Sequence, residues 1–436
     1  MLTSMRSADV AERLSELPPE AAARIVAALP FDLAVQVLDA PELERRHLLI
    51  QHTDEEVAGS LIEAMSADQQ ADLFRRMPEP ERTRLFRVLE PSTRDDLERL
   101  LRYPPKSAGG IMTTELVSVP ATWTVEETLR HISQVGRAKE TVYAVYVLDD
   151  DDRLTHVVSL RELLVSDRQL PVLDVGDRRR PITTTPSTDR EEVARLIGKY
   201  NLLAIPVLDD HGHVIGIVTV DDVIDALVAE ETEDVQKLGG MEALDAPYLE
   251  ISLPRMIRKR AGWLAALFLG EMLTATAMTY FEDEIARAVV LALFVPLIIS
   301  SGGNSGAQAT TLVIRAMALG QVRLRDWWRV IRREFSSGLV LGCILGLLGL
   351  ARILLWQAFG DAYGEHYWLL GMTLGVSLVG VVLWGTLAGS TLPFLLRRLH
   401  FDPASASAPF VATLVDVTGI VIYFTAASLI LRGTLL

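Results

Sequence analysis

The sequence predicts a multidomain protein in which an all-α superhelical domain and an α/β repeat precede an all-α membrane domain of five spans. The chain has 436 residues, which is more than one ordinary domain needs. The two parts of the chain carry opposite net charge. The residues before Arg255 include 47 acidic and 27 basic ones, whereas those from Arg255 onward include 10 acidic and 15 basic ones. Half of the residues are hydrophobic, and five long apolar stretches follow Arg260. An acidic soluble part therefore precedes an apolar, mildly basic part.

The charge and cysteine content exclude several classes of function. An acidic surface repels nucleic acid and anionic lipid headgroups and attracts cations, so we expect no nucleic-acid partner. Solubility alone is the alternative reason for such a surface. Cys343 is the single cysteine, which leaves no disulfide framework and no thiolate metal site. The first residues contain no apolar core of a signal peptide, so we expect no cleaved signal.

Residues 1–108 predict an acidic helical domain. Short amphipathic segments such as LPPEAAARIVAALP end at prolines, as in a right-angled helical solenoid. Asp68 and Asp72 stand one helical turn apart, which places both on one face of a helix on the acidic surface.

Residues 112–231 contain an internal repeat, from which we predict domains at 109–170 and 171–220. Each copy reads strand, helix, strand, acidic turn, strand, helix, with YAVYVLDD in the first copy and LAIPVLDD in the second. Ser159 and Thr219 are N-cap candidates, each followed three residues later by an acid. The pattern resembles a tandem pair of CBS domains, a regulatory module known to bind adenine nucleotides or ions.

Residues 221–256 predict an acidic connecting helix. Asp222 and Asp225 share one helical face, and Glu230, Glu233 and Asp234 share another. The helix is short of positive partners. A solvated acidic face is one interpretation. The other is that cations join these acids to acids on other domains, which like charge would otherwise push apart.

The five apolar stretches are each long enough to cross a hydrocarbon core of ~30 Å. Core helices of a soluble protein would be shorter. Basic loops, such as RMIRKR, alternate with acidic ones, such as the loop that holds Asp361 and Glu365. The positive-inside rule then predicts a cytoplasmic N-terminus and an external C-terminus. The predicted spans are 261–280, 286–314, 336–359, 367–396 and 408–431.

The second span contains the polar stretch PLIISSGGNSGAQATTL at 296–312. Its glycines are expected to leave the backbone loose, and irregular polar backbone is tolerated in a membrane only where protein or water covers it. Gly302, Gly303 and Asn304 are therefore predicted to line a pore. A packing face of small residues is the alternative, and the two interpretations are compatible.

Asp416 lies in the middle of the last span, and Glu271 is a second acid within the first. A carboxylate at mid-membrane is costly unless it is paired or hydrated, and the last span holds no Lys or Arg. A water-filled cation path is one interpretation, and a structural hydrogen bond is the other. If two copies meet on an axis, two Asp416 carboxylates suit a largely hydrated Mg²⁺.

The order of these parts, together with SGGNSGAQATTLVIRAMALG, LRDWWRV, LPFLLRRL and PFVATLVDVTG, resembles the MgtE family of magnesium channels over essentially the whole chain. The resemblance implies a homodimer with a pore on its axis, Asp416 as the pore ligand, Asp402 at the cytoplasmic pore end and a connecting helix that plugs the pore. It also implies possible ATP contacts at Arg161 and Glu162. The implied intracellular magnesium ligands are Asp68, Asp72, Glu191, Asp222, Asp225, Glu230, Glu233 and Asp234.

The sequence departs from the family pattern at several positions. Asn201 stands where relatives often carry an aspartate, and Leu202 where some carry an aromatic residue. Ala307 and Ala408 replace frequent asparagines.

The predicted function is a magnesium-selective channel of the bacterial inner membrane, which catalyses no reaction and is gated by intracellular Mg²⁺. The alternatives are a divalent cation transporter coupled to protons or sodium through Glu271 and Asp416, and a membrane-anchored nucleotide sensor.

Overall fold

The structure is a computed structural model that describes residues 2–43, 45–176, 179–245, 248–249, 251–360 and 363–435. These residues form two compact units, the first ending at Ala229 and the second beginning at Glu230. Asp361, predicted to lie in an acidic loop, falls outside the described residues, as do residues 246, 247 and 250 of the predicted connecting segment.

The first unit begins with eight short helices, which confirms the predicted helical domain. Proline lies in the first turn of α2, α7 and α8, where its missing N–H has no helical partner to lose. Each of the first six helices packs against the helix two places later, which builds a superhelix. The helices are α1 Ser7–Ser15, α2 Pro19–Ala28, α3 Phe31–Asp39, α4 Arg46–Gln51, α5 Glu55–Ala64, α6 Ala67–Arg76, α7 Glu79–Phe86 and α8 Pro91–Leu101.

The two α/β copies follow, which confirms the predicted pair. The first consists of β1 Val117–Pro120, α9 Val125–Val135, β2 Ala144–Leu148, β3 Leu154–Ser159 and α10 Leu160–Val165. Strand β2 pairs parallel to β1 and antiparallel to β3. The second copy consists of α11 Arg190–Tyr200, the antiparallel pair β4 Ala204–Leu208 and β5 Val214–Thr219, and α12 Val220–Leu238.

The sequence predicts a first strand in the second copy, but the described residues form only a single bridge at that place. Thr184 pairs with Val207, and its N–H and C=O bond to the backbone of Pro206 and Leu208 at 3.0 and 2.9 Å. Pro186 follows two residues later and has no N–H for a longer ladder.

The acidic turns of the two copies are built in the same way. Asp149 Oδ1 accepts the backbone N–H groups of Asp151 and Arg153 at 3.0 and 2.9 Å. Asp209 Oδ1 accepts those of His211 and His213 at 2.8 and 2.9 Å. These carboxylates therefore close the turns by bonding their own backbone.

The second unit contains five helices that are long and apolar enough to cross a membrane, counted among the described residues. This confirms the predicted number of spans. A short helix α14, Glu282–Arg287, and a 3₁₀ segment, Val289–Phe294, connect the first two spans. The spanning helices are α13 Leu253–Tyr280, α15 Val295–Ala318, α16 Trp327–Phe359, α17 Tyr367–Arg398 and α18 Ala408–Ile430.

Glycine allows α15, α16 and α17 to approach backbone to backbone. A Cβ built on Gly385 of α17 would lie 2.4 Å from the carbonyl oxygen of Gly302, and one on Gly389 would lie 2.2 Å from that of Gly306. On the other side of α17, a Cβ on Gly346 of α16 would lie 2.8 Å from Gly375 O. Small residues at such positions are the usual basis of close helix packing in membranes.

The close packing corrects one expectation from the sequence. The stretch 296–312 is not loose, since α15 is one continuous helix from Val295 to Ala318. Pro296 lies in its first turn, where no hydrogen bond is lost. Thr310 Oγ1 donates to Gly389 O at 2.8 Å, and Ser305 Oγ bonds Thr386 Oγ1 at 2.9 Å. The polar groups are thus satisfied between helices rather than by an unwound backbone.

Candidate cation sites

The mid-membrane carboxylate of Asp416 faces a gap left by a glycine. On α18 its side chain is half-buried. A Cβ built on Gly303 of α15 would lie 3.6 Å from Asp416 Oδ1 and 3.3 Å from Ala412 Cβ. A larger residue at position 303 would therefore fill the space beside the carboxylate. Glu271 on α13 is near enough for its charge to act on Asp416.

No ion pair joins Asp416 to a basic side chain within the described part of the chain. Arg352 lies instead over the rings of Trp356 and Phe294, at 5.3 and 5.9 Å from their centroids. Two residues that follow Asp416 on α18 contact α17. Thr418 Oγ1 accepts the Trp384 indole N–H at 2.7 Å, and Gly419 packs against Val381.

The residues predicted to line the pore occupy different surfaces of α15. Gly302 is buried, since a Cβ there would meet Val381 and Val415 at 2.4 and 2.7 Å. Its position matches the helix-packing interpretation. Asn304 is exposed, and its Nδ2 donates to Ser300 Oγ at 3.3 Å. One turn further on, an open groove runs along the same helix, lined by Ala307, Gln308, Thr311 and Leu312.

At one end of the spanning bundle, acids and bases form a paired group. Asp402 begins the turn before α18, where its Oδ1 accepts Ala404 N–H at 2.9 Å. Lys237 Nζ lies 2.5 Å from Asp402 Oδ2 and 2.5 Å from Glu233 Oε1. Arg315 Nη1 lies 3.3 Å from Glu231 Oε1. The predicted shortage of positive partners is therefore wrong for the last turns of α12. Lys237 comes from the end of that helix, and Arg315 comes from α15.

Asp234 and Glu230 lie beside this paired group. Burial, together with the charges of Asp402, Glu230 and Glu233 and against the opposing effect of Lys237, raises the pKa of Asp234 to about 6. The ordinary pKa of an aspartate is near 3.8, so this carboxyl resists ionisation in its present surroundings. A divalent cation would relieve the same repulsion.

A second group of carboxyls lies within the first unit. Asp68 of α6 is 8% exposed, so the prediction that it lies on the acidic surface is wrong. Burial raises its pKa. Burial also raises the pKa of Asp222 at the start of α12, and the charge of Asp68 adds to that rise. The Asp222 carboxylate accepts the Thr219 hydroxyl. The superhelix and the second α/β copy thus bring two predicted ligands together.

Three further acids of this group were missed by the sequence analysis. Glu140 keeps part of its surface exposed, and the partial burial of its carboxyl together with repulsion from Asp68 and Glu115 raises its pKa to about 7. Burial raises the pKa of Asp39 to about 7, against a hydrogen bond from Ser66. Burial and Asp68 likewise raise the pKa of Glu115. These acids come from separate segments with no spacing in common, so only their clustering in the fold identifies them.

The remaining predicted ligands are more exposed than Asp68. Asp72 pairs with Arg76, at 3.1 Å between Oδ2 and Nε, and so has a basic partner on its own helix. Asp225 is largely exposed, and the partial burial of its carboxyl, together with the charges of Asp221 and Glu42, raises its pKa. Glu191 lies exposed in the first turn of α11, where its backbone N–H donates to Asp189 Oδ1 at 2.8 Å.

The candidate nucleotide residues lie at the start of α10. Glu162 Oε2 accepts both the N–H and the hydroxyl of Ser159, at 2.9 and 2.6 Å, which closes a capping box. Ser159 is thus confirmed as an N-cap. Arg161 is exposed. Asn201 ends α11 in the left-handed conformation, with φ of 51°, which asparagine tolerates better than most residues.

Within the described residues, no three His, Cys, Asp or Glu side chains are arranged as a complete metal site in one chain. The donors that do cluster are all carboxylates, the ligand type that Mg²⁺ and Ca²⁺ prefer.

The first unit should be more stable in mild acid when no divalent ion is present. Asp39 and Glu140 have folded pKa values of about 7, above their ordinary values of 3.8 and 4.5. Between the ordinary pKa values and about pH 7, the folded state therefore binds more protons than the unfolded state. The free energy of unfolding falls as pH rises through this range. In EDTA we expect a midpoint higher by a few degrees at about pH 6 than at about pH 8, since ~1 kcal/mol moves the midpoint of such a unit by roughly 2–4 °C.

Thermal proteolysis of the full chain, followed at sites in the first unit, measures this difference. Asp68→Asn should reduce the pH dependence, whereas Asp72→Asn, beside Arg76, should leave it intact. Added Mg²⁺ should flatten it. Equal midpoints at both pH values in EDTA would contradict the close approach of these carboxyls.

An acidic superhelix, an α/β pair and five spans with a carboxylate that has no basic partner among the described residues are the parts expected of a membrane transporter for cations. The profile described as "Divalent cation transporter" matches residues 295–426, that of the MgtE intracellular N domain matches 5–106, and CBS domains match 108–167 and 172–229. The chain belongs to the MgtE family of magnesium transporters, a family of transporters and not of enzymes.

Relatives named as magnesium transporter MgtE match most of the chain. The Thermus thermophilus protein is 43% identical over 350 residues, which cover 80% of this chain and 76% of the relative. The Bacillus subtilis protein is 30% identical over 428 residues, or 98% and 92% of the two chains. A solved cytosolic domain of the Mg²⁺ channel MgtE in complex with ATP is 35% identical, covers 51% of this chain and 91% of that one, and gives a TM-score of 0.49. The five helices able to span a membrane and the match to magnesium transporters together make this chain a multi-pass membrane protein.

Proposed function

We propose that this chain is a magnesium-selective channel that works as a homodimer and closes when intracellular Mg²⁺ occupies its acidic sites. The single observation that carries the proposal is the Asp416 carboxylate, which lies mid-membrane beside the gap at Gly303 and has no basic partner among the described residues. A buried charge without a partner is costly, and a permeating cation supplies the missing charge.

Asp416 acts as the binding point of the conduction path. One carboxylate per chain is a weak site, but two copies related by an axis would present two, which suits an ion that keeps most of its water shell. The missing side chain at Gly303 leaves room for that shell. Asn304 and Gln308 extend the polar, exposed face of α15 along the same path.

The acidic cluster of the first unit serves as the sensor in this proposal. Asp68, Asp222, Glu115 and Glu140 repel one another when ionised, which disfavours their present arrangement. Uptake of a divalent cation by these carboxylates removes the repulsion and stabilises the arrangement that closes the channel. A second set of acids at the end of the bundle is proposed to take up a divalent cation for the same reason. These acids are Asp402, Glu230, Glu233 and Asp234.

The orientation and membrane are parts of the same proposal. Loops rich in arginine, such as that between α15 and α16, favour the cytoplasmic side under the positive-inside rule. The first unit would then sample intracellular Mg²⁺, and the C-terminus would lie outside the inner membrane.

A channel and an ion-coupled transporter differ in a direct measurement. Purified chain in planar bilayers should pass unitary currents carried by Mg²⁺ alone, with equal pH and no sodium on either side. Flux that requires a proton or sodium gradient would instead favour coupling through Glu271 and Asp416. A nucleotide sensor without transport would give no divalent flux in either condition.

Neutralising four of the acids predicted to bind intracellular Mg²⁺ should strongly weaken inhibition by Mg²⁺. The variant Asp222→Asn, Asp225→Asn, Glu230→Gln and Glu233→Gln keeps the shape of these side chains but removes the charges that need compensation. We expect current to persist at cytoplasmic Mg²⁺ concentrations that close the native channel, with inhibition weakened by tenfold or more in concentration, because the loss of ~1.4 kcal/mol of linkage is already tenfold.

A control with the same change in net charge separates the sensor from bulk electrostatics. Glu12, Glu16, Glu20 and Glu98 are exposed acids of the first unit outside the cluster. Their replacement by glutamine should leave the inhibition curve unchanged. An unchanged curve in the sensor variant as well would refute gating by these residues.

Nucleotide binding at the CBS pair is a second part of the proposal. Arg161 is the available contact, since it is exposed beside the turn that ends β3. Glu162 would have to release Ser159 before it could bind a ribose hydroxyl, because its carboxylate is already bonded there.

A further inference from the structure

One lysine lies inside the acidic group at the end of the spanning bundle. Lys237 Nζ contacts Glu233 Oε1 and Asp402 Oδ2, both at 2.5 Å. Glu233 lies one turn earlier on α12, whereas Asp402 lies 165 residues further along the chain. The Lys237 side chain is 23% exposed, so both contacts are partly shielded from water. A single ammonium therefore joins the last turn of α12 to the turn that precedes α18.

The atoms that Lys237 contacts are ones a divalent cation would use. Asp402 and Glu233 supply one carboxylate oxygen each, and Asp234 and Glu230 lie close enough to add to the negative charge. An ammonium carries one positive charge and three donors, so it compensates part of this charge in the absence of metal. A flexible lysine can also leave when a stronger cation arrives.

An apolar contact accompanies the ion pairs. Leu238, the neighbour of Lys237, packs against a small cluster formed by Ile314, Ala404 and Ala406. Ala404 and Ala406 are almost fully buried. The end of α12 is thus attached to the bundle by groups that need no metal ion.

We propose that Lys237 is a tethered cation that holds the end of α12 on the bundle when no divalent ion is bound. This rests on the proposed gating by Mg²⁺ and adds a residue to it. The ammonium stands in for one divalent cation at Glu233 and Asp402 and preserves a fraction of closed channels at low Mg²⁺. Mg²⁺ completes the closure by displacing the ammonium from these oxygens.

Removal of the ammonium should make the attachment depend on metal. In Lys237→Gln the two carboxylates repel each other in EDTA, and the end of α12 leaves the bundle more often. Mg²⁺ should restore the attachment, because the same oxygens are then available to it. Lys237→Arg retains the charge and should behave as the native chain does.

Disulfide formation between α12 and the turn before α18 measures the attachment directly. The pair Leu238→Cys and Ala404→Cys is introduced in a Cys343→Ser background, which removes the single native thiol. With Lys237 present, oxidation should link the pair in EDTA and in Mg²⁺ at similar rates. With Lys237→Gln, we expect linkage roughly tenfold slower in EDTA and restored by Mg²⁺, as for the loss of a hydrogen bond to a charged group.

Lys259→Gln serves as the matched control. Lys259 belongs to the same unit, donates to Ala243 O and lies 3.9 Å from Asp245 Oδ1, away from Glu233 and Asp402 in its contacts. Its loss should not change the linkage rate. The current in EDTA provides a second measurement, which should rise in Lys237→Gln and not in Lys237→Arg or Lys259→Gln.

The outcomes separate this inference from the gating proposal. A native linkage rate for Lys237→Gln in EDTA, or a slow rate for Lys237→Arg, would overturn the role of Lys237. A slow rate for Lys237→Gln that Mg²⁺ does not restore would support the tether but overturn Mg²⁺ binding at Glu233 and Asp402. Restoration by Mg²⁺ supports both.

Discussion

Replacing Gly389 by alanine should destabilise the spanning bundle, whereas the same change at Gly262 should not. A Cβ at position 389 would lie 2.2 Å from Gly306 O and 2.8 Å from Thr310 Oγ1. The first of these atoms is backbone and cannot turn aside, so α15 and α17 must separate. Separation also weakens the hydrogen bond from Thr310 Oγ1 to Gly389 O, now 2.8 Å long. We expect a cost of ~1–3 kcal/mol, as for overpacked cores.

Gly262 supplies a control of the same chemistry. It lies within α13 with no neighbour within 4 Å of an added Cβ. Alanine there should stabilise the helix slightly, since glycine in a helix interior is less favourable by roughly 0.5–1 kcal/mol. Thermal unfolding of the two variants in detergent should shift in opposite directions. Equal shifts would contradict the backbone contact between α15 and α17.

Asp416→Asn should abolish Mg²⁺ uptake into proteoliposomes while the protein stays folded. Asparagine has the same shape and fits the space beside Gly303, so packing is preserved. It cannot supply the negative charge that holds a divalent cation in a low-dielectric region. We expect uptake to fall by about two orders of magnitude or more, since the loss of each ~1.4 kcal/mol is a factor of ten.

Glu271→Gln tests whether the other intramembrane acid shares this role. Glu271 is exposed on α13, so its replacement should alter the field at Asp416 without removing the ligand. Uptake should therefore persist in this variant. Survival of full uptake in Asp416→Asn would remove the basis of the proposed conduction path, and loss of uptake in both variants would favour the coupled transporter.

The fold could be read from the sequence because its signals are local. Proline-ended amphipathic segments indicated the superhelix, two copies of a strand–turn–strand pattern indicated the α/β pair, and long apolar stretches indicated five spans. The middle of α15 was misjudged because glycine favours an irregular backbone when considered alone. Its helix is kept by Val381 and Gly385 of α17, which lie more than 75 residues away.

The candidate sites were predictable only in part. Asp416 could be identified because a carboxylate within an apolar stretch is itself unusual. Asp39, Glu115 and Glu140 could not, since each is an ordinary acid whose neighbours come from distant segments. Lys237 was likewise overlooked as a partner, because Asp402 meets it only in the folded chain.

The glycine contacts of α17 have a mechanical consequence. Gly375 meets Gly346 on one side, while Gly385 and Gly389 meet α15 on the other, with backbone atoms in direct contact. Surfaces packed this closely cannot slide by small amounts without collision. We therefore expect the three helices α15, α16 and α17 to move as one rigid group. In the proposed channel, we expect the movement that opens and closes the path to come from outside these three helices, chiefly from α13, which packs against α18, and from the last turn of α12.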